Sequence, residues 1–268
     1  MKDKDDFTFT IEGKDYTISE KEKENTSKKS DKQTLHATSL GIGAIIAGIC
    51  IIGVFFGFGG FPESSEPLIE KQIIQELQTP KQISMNTFIQ NGSPVLGKAD
   101  APITLVEFGD YQCHFCNVFY HNTEHEILEN YVMTGKVNVI FKDYTIIGQD
   151  SINAAHAAHC AGEQGKFWQY HNTLYDNWGG ENNGWASQEN LVKFAQQVEL
   201  DMNEFTQCNL QGKYAQIIST SNTDAQTLGL TGTPAFYIVS MNGGQVQQIQ
   251  GAQPYEVFEK IFDSMLES

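Results

Sequence analysis

Apolar residues recur along this chain with several different spacings, and each spacing predicts a different element. In Phe7–Ile18 ("FTFTIEGKDYTI") apolar and polar residues alternate around a Gly-Lys turn, which fits one small hairpin. Ser39–Phe61 ("SLGIGAIIAGICIIGVFFGFGGF") is apolar throughout and carries no charge, long enough for a helix to cross the ~20-residue hydrocarbon core of a bilayer. Ile103–Gly109 ("ITLVEFG") is a β-branched run that fits a buried strand. Apolar residues then fall at 115, 118, 119, 127, 128, 131 and 132, the spacing of a helix. Val137–Tyr144 is a second strand candidate, which completes a βαβ unit. From about 147 to 229 the stripes stay helical, as in "SINAAHAAHC" and "SQENLVKFAQQVEL". Strands return at Pro234–Val239 ("PAFYIV") and, after a Met-Asn-Gly-Gly turn, at "QVQQIQG". A last amphipathic helix is predicted near Tyr255–Leu266.

These patterns divide the chain into a polar tail over 1–38, a transmembrane helix over 39–61, a stalk over 62–90 and a folded domain over 91–268. The tail reads as mostly disordered apart from the hairpin, because an isolated hairpin is marginal in water. The apolar run exceeds the usual ~7–15 residues of a signal-peptide core, and no A-x-A cleavage pattern follows it. It therefore reads as an uncleaved anchor. Lys28, Lys29 and Lys32 precede the run, and Glu63, Glu66 and Glu70 follow it. Excess lysine marks the cytoplasmic side. The expected topology is a single-pass membrane protein with its N-terminus in the cytoplasm and its folded domain outside, where disulfides persist.

Charge narrows the function further. The 268 residues carry 17 basic side chains, all of them lysine, against 33 acids, for a formal net charge of −16. Nucleic-acid binding needs a basic surface that displaces counterions, so that class is excluded. Without arginine there is also no bidentate clamp for phosphate or carboxylate.

The chemistry concentrates in Asp110–Tyr120, "DYQCHFCNVFY". Cys113 and Cys116 form a CxxC, a spacing that serves zinc and redox chemistry alike. Structural zinc usually needs four ligands, and a zinc ribbon pairs one CxxC with another. No second CxxC exists here. His121 and His125 stand four apart, but "HNTEH" is not HExxH, and His156, His159 and Cys160 make a weaker set. No metal site is expected. Redox chemistry asks for less. A cysteine at a helix N-terminus meets the positive end of the helix dipole and unpaired backbone N–H groups. Both favour the thiolate, so Cys113 is the expected attacking thiol and Cys116, one turn deeper, the resolving one.

"ITLVEFGDYQCHFC" with the distant "GLTGTPAFYI" resembles the DsbA family of thiol:disulfide oxidoreductases. The resemblance covers residues 91–268 and implies a thioredoxin-like α/β fold with an inserted helical domain, about 147–229. It implies that Pro234 is a cis-proline facing the CxxC, and that Thr233 offers backbone contacts to a bound substrate chain. It also matches Glu107 to the family's buried acid, a relay for the Cys116 proton. Relatives often have proline where this chain has His114. A protonated imidazole there would stabilise the Cys113 thiolate, whereas a neutral, outward one would do little. Phe115 is expected to offer an apolar surface to substrate or to pack.

Cys160 and Cys208 bracket the helical stretch. In an oxidising compartment they are expected to form a structural disulfide, the alternative being a second redox pair. Cys50 lies in the apolar run as an inert small residue. The functional expectation is a thiol oxidase that introduces disulfides into newly exported, cysteine-containing proteins. The electrons reside on sulfur, so no cofactor is needed. The resemblance implies reoxidation by a membrane quinone reductase of the DsbB or VKOR type. A reductase or isomerase of the same fold, and a non-catalytic peptide-holding chaperone, remain the alternatives.

Overall fold

The computed structural model describes residues 6–11, 14–19, 83–242 and 244–268. The expected membrane span at 39–61 and most of the expected stalk lie outside these residues. Among the described residues, no helix is long and apolar enough to cross a membrane. In the N-terminal tail, β1 (Asp6–Ile11) and β2 (Lys14–Ser19) pair antiparallel with Ile11 opposite Lys14. Lys14 thus belongs to the second strand and not to the turn.

The folded unit starts earlier than the expected residue 91. A short helix, α1 (Met85–Ile89), buries Phe88 against the sheet. That sheet has four strands in the order β4-β3-β5-β6, with β3 at Ile103–Gly109, β4 at Val137–Asp143, β5 at Ala235–Ser240 and β6 at Val246–Gln250. β3 runs parallel to β4 and antiparallel to β5, and β5 runs antiparallel to β6. The parallel pair needs a crossover. The chain supplies it as α2 (His114–Phe119), a π-helical turn (Tyr120–Glu124), the single turn α3 (His125–Ile127) and a second π-helical turn (Leu128–Val132).

Every residue of β3 and β4 is buried: β3 is a central strand covered on both faces, and the outer edge of β4 is covered by the segment around Ser93 and Leu96, where Leu96 bonds Val139 in both directions. Their alternation separates two cores. Ile103, Leu105, Val139, Phe141, Phe236 and Ile238 join the core that contains Phe119, Ile127 and Phe258. Val106, Phe108, Tyr237 and Val239 face the other way, toward Phe88, Ala225 and Leu230. Lys142 is fully buried on that second side. Its Nζ donates to Asp224 at 2.7 Å and to the Thr87 and Gln90 carbonyls. Such a buried cation persists because every proton finds an acceptor.

Between β4 and β5 lie five helices: α4 (Gln149–Gly162), α5 (Phe167–Asp176), α6 (Gln188–Gln197), α7 (Met202–Gln211) and α8 (Ala215–Thr227). Asp201 caps α7 by accepting from the Asn203 and Glu204 amides, and Gly212 ends it with φ 60°. Cys160 of α4 and Cys208 of α7 are disulfide-bonded across 48 residues, with the Glu163 carboxylate 3.5 Å from the Cys208 sulfur. The last helix, α9 (Tyr255–Leu266), buries Phe258, Phe262 and Met265.

Candidate active site

β3 ends at Gly109, where a Cβ would strike the Phe141 ring and stand 3.1 Å from the Glu107 Oε1. Only glycine lets the chain pass there without displacing the Phe141 ring. Asp110 then fixes the turn. One of its oxygens accepts from the Gln112 amide at 2.9 Å, and the other accepts from the Ile146 and Ile147 amides at 2.9 and 3.1 Å. Gln112 is wholly buried and reaches two other parts of the chain. Its side-chain NH2 donates to Ser151 Oγ at 2.9 Å, and its side-chain oxygen accepts from the Asn182 amide at 2.8 Å. Trp178 Nε1 donates to the Gln112 carbonyl at 2.9 Å, and the His114 amide donates to Glu181 at 3.1 Å. The reactive turn is therefore held by α4 and by the loop that follows α5.

Cys113 is the N-cap of α2. Its sulfur accepts from the Cys116 amide at 3.4 Å and lies 3.3 Å from the Thr233 carbonyl oxygen. The Thr233–Pro234 peptide bond is cis and brings that carbonyl to the cysteine. Both cysteines are free thiols, so the site is in its dithiol form. Their proton affinities diverge. A hydrogen bond from the Cys116 side chain, opposed by burial and helped by Thr233 and the Cys116 and Phe115 amides, brings Cys113 down to about 7. Burial pushes the Cys116 thiol well above its usual range. One sulfur is poised as a thiolate and the other holds its proton.

His114 is exposed, with its ring 5.6 Å from that of Trp178. Phe115 is 59% exposed beside it. Glu107 occupies the centre of β3 between Phe141 and Phe236, only 3% exposed. Burial first, then the charges of Glu124 and Cys113, raise it well above the carboxylate range. The structure thus brings Cys113, Cys116, His114, Phe115, Thr233 and Pro234 together, with Glu107 beneath. Cys160 and Cys208 lie in the helical region, bonded to each other. Among the described residues, no cluster of three or more His, Cys, Asp or Glu is placed to hold a metal.

Sequence reasoning missed Asp110, Gln112, Glu124 and the Trp178–Asn182 contacts. Only Glu124 left a signal. It lies two four-residue steps after Cys116 on the same helical run, and both are buried. Burial raises Glu124 to about 8, so the folded protein holds its proton more tightly than the unfolded chain does. That contribution to stability is full below the ordinary carboxylate pKa and is lost as pH rises through about 8. In the oxidised protein, where neither active-site cysteine titrates, urea stability should fall between pH 5 and 8. Glu124→Gln should remove much of that fall, on the order of 3 kcal/mol at pH 7. Parallel stability profiles for the two proteins would show that Glu124 ionises normally.

Comparison with known proteins gives concordant matches. A family model described as thioredoxin matches residues 90–264. A probable disulfide bond formation protein D of Bacillus cereus is 29% identical over 147 residues, 53% of this chain and 68% of its own length. A putative protein-disulfide oxidoreductase of Rickettsia typhi is 28% identical over 187 residues, 66% of each chain. Among solved structures, oxidised BdbD from Bacillus subtilis superposes with a TM-score of 0.60 at 24% identity, covering 70% of this chain and 97% of its own. Alpha-DsbA1 from Wolbachia pipientis gives 0.58 at 24% identity, covering 71% and 94%. At these identities the structural matches speak to the fold.

Proposed function

The chain belongs to the thioredoxin family through residues 90–264, and from that premise we propose that its DsbA-like domain forms disulfides in other proteins through Cys113 and Cys116. It is a protein thiol:disulfide oxidoreductase, the activity for which its relatives are named. The observation that carries the finer reading is the split between the two sulfurs, Cys113 near 7 and Cys116 far above it. A stabilised Cys113 thiolate lowers the free energy of the dithiol form, and that makes the disulfide form an oxidant.

The exchange runs in two displacements. A substrate thiolate attacks Cys113 of the oxidised pair, the Cys113–Cys116 bond breaks, and a substrate–Cys113 mixed disulfide forms. Cys116 leaves as a thiolate and takes a proton, for which buried Glu107 is the nearby donor. A second substrate thiolate then attacks the substrate sulfur of the mixed disulfide, and Cys113 leaves. Two electrons have passed from substrate to enzyme, and the substrate holds the bond. His114 and Phe115 form the exposed rim, and the Thr233 carbonyl beside cis-Pro234 offers an acceptor to the incoming chain.

The 39–61 run, as a membrane anchor, would hold this domain outside the cytoplasm beside newly exported proteins. A membrane quinone reductase of the DsbB or VKOR type would then accept the two electrons and two protons of the dithiol. The test is the equilibrium of the purified chain with glutathione buffers, scoring Cys113–Cys116 by mass after alkylation. A potential at or above about −180 mV is expected of an oxidase. A value near −270 mV, about that of thioredoxin, would make the protein a reductase. No exchange at all would leave the peptide-holding role.

A further inference from the structure

We propose that Glu124 is the second member of a buried carboxyl pair that, with Glu107, stores and delivers the proton Cys116 exchanges in each turnover. This rests on the exchange reaction proposed above and adds a residue to it.

The placement comes from two elements. Glu107 follows Ile103 and Leu105 at two-residue steps on β3, so it faces the core beneath α2. Cys116, Tyr120 and Glu124 follow one another at four-residue steps on the crossover, and their exposures are 0%, 5% and 5%. The π-helical turn Tyr120–Glu124 ends on this carboxyl. Wide turns of this kind often occur at functional sites, because the extra residue re-aims a side chain. Among the described residues, neither carboxyl is in an ion pair. Lys142, the fully buried cation, points to the opposite face of the sheet and is taken by Asp224.

The surrounding groups add a second, independent sign. Tyr175 and His171 of α5 are each 1% exposed, and both the Tyr175 hydroxyl and the His171 Nε2 lack a hydrogen-bond partner. Tyr111 spends its hydroxyl on the other His171 nitrogen at 3.0 Å. Tyr175 feels the charges of Cys116 and Glu107, and Tyr111 those of Glu107 and Glu124, so hydroxyls and carboxyls share one space. Burial holds His171 neutral at about 3, leaving no cation to neutralise the acids.

The other titratable groups nearby are engaged elsewhere. Asp143 of β4 bonds His159 at 2.7 Å, and Asp176 of α5 accepts from Tyr120 at 3.1 Å. From α9, Asp263 accepts from Tyr131, and Glu259 accepts from Tyr255. His125 on the crossover lies 3.7 Å from Glu129, and His121 is exposed.

Two unpaired carboxyls in one dry space cannot both ionise, so the pair keeps a proton at neutral pH. Each raises the proton affinity of the other toward that of a thiol. Transfer between Glu107 and Cys116 then costs little in either direction. A lone carboxyl would give up its proton at lower pH and leave the departing Cys116 thiolate without a donor.

The experiment follows the reduction of the oxidised full-length chain by a model dithiol from pH 5 to 9, with rates referred to the dithiol thiolate. Wild type, Glu107→Gln, Glu124→Gln and the double variant are compared. The wild-type rate should fall as the pair ionises. Glu124→Gln should move that fall to lower pH by about one unit, and the double variant should behave as Glu107→Gln alone. A Glu124→Gln profile that superposes on wild type overturns the proposal and leaves the exchange reading intact. A wild type that exchanges at no pH overturns the exchange reading itself. Should Glu124→Gln not fold, carboxyl 13C NMR of the wild type decides. Two coupled titrations above pH 6 support the pair, and an ordinary Glu124 titration overturns it.

Discussion

Cys116→Ser should stop the protein with substrate bound through Cys113, whereas Cys113→Ser should capture no substrate at all. The asymmetry follows from where the two sulfurs lie. Cys113 caps α2 at the rim made by His114 and Phe115, its proton affinity lowered to about 7. Cys116 is wholly buried one turn below, and its proton is held tightly. An incoming thiolate therefore meets Cys113. Serine at 116 leaves no internal disulfide to attack, so the adduct forms in the reverse sense. The Cys113 thiolate attacks a disulfide of oxidised substrate, one substrate sulfur leaves as thiolate, and with no thiol at 116 to release it the mixed disulfide accumulates. Serine at 113 removes the attacked sulfur, and oxidation of a model dithiol should fall to the uncatalysed rate. Non-reducing gels of oxidised substrate mixed with each variant, with free thiols alkylated only to quench the reaction, read both outcomes. Adducts through Cys116 in the Cys113→Ser protein would reverse the assignment of roles.

Replacing both Cys160 and Cys208 by alanine should cost about 4 kcal/mol of stability, the chain-entropy value for a loop of 48 residues. With a urea slope of about 2 kcal/mol/M, the midpoint should fall by roughly 2 M. The bond joins α4 to α7, and Cys160 and Cys208 are 1% and 4% exposed. The site instead draws its geometry from the N-terminal end of α4 and the loop after α5. Exchange through Cys113 should therefore survive in the folded variant. A variant that folds normally but cannot cycle would identify Cys160–Cys208 as a second redox pair.

Local signals were legible in the sequence, and distant ones were not. The expected strand Ile103–Gly109 and final helix Tyr255–Leu266 match the observed bounds, because burial on both faces and amphipathic spacing are each written within one short segment. The second strand ends at Asp143, one residue earlier than expected. The CxxC was visible as a motif, and Glu107 entered only through the family resemblance. The helical stripe after the CxxC holds at Phe119, Ile127, Leu128, Tyr131 and Val132, which are buried, whereas Phe115 in the first turn of α2 is 59% exposed. Gln112 left no trace in the sequence. Its importance lies in partners at 151 and 182, and a glutamine reads as surface until those partners close over it. Glu124 left only its spacing from Cys116, a weak sign because a glutamate on a helix is usually solvated.

The contacts that fix the reactive turn also set a schedule for its birth. Ribosomes deliver chains from the N-terminus, so Cys113 is made long before its partners. The Trp178 indole that holds the turn arrives 66 residues after Gln112, the Asn182 amide 70 residues after it, and the Thr233 carbonyl 120 residues after Cys113. Until then the cysteines lack the acceptors and donors that separate their proton affinities. An unfinished chain carries two ordinary thiols, and the oxidant comes into being only as synthesis closes.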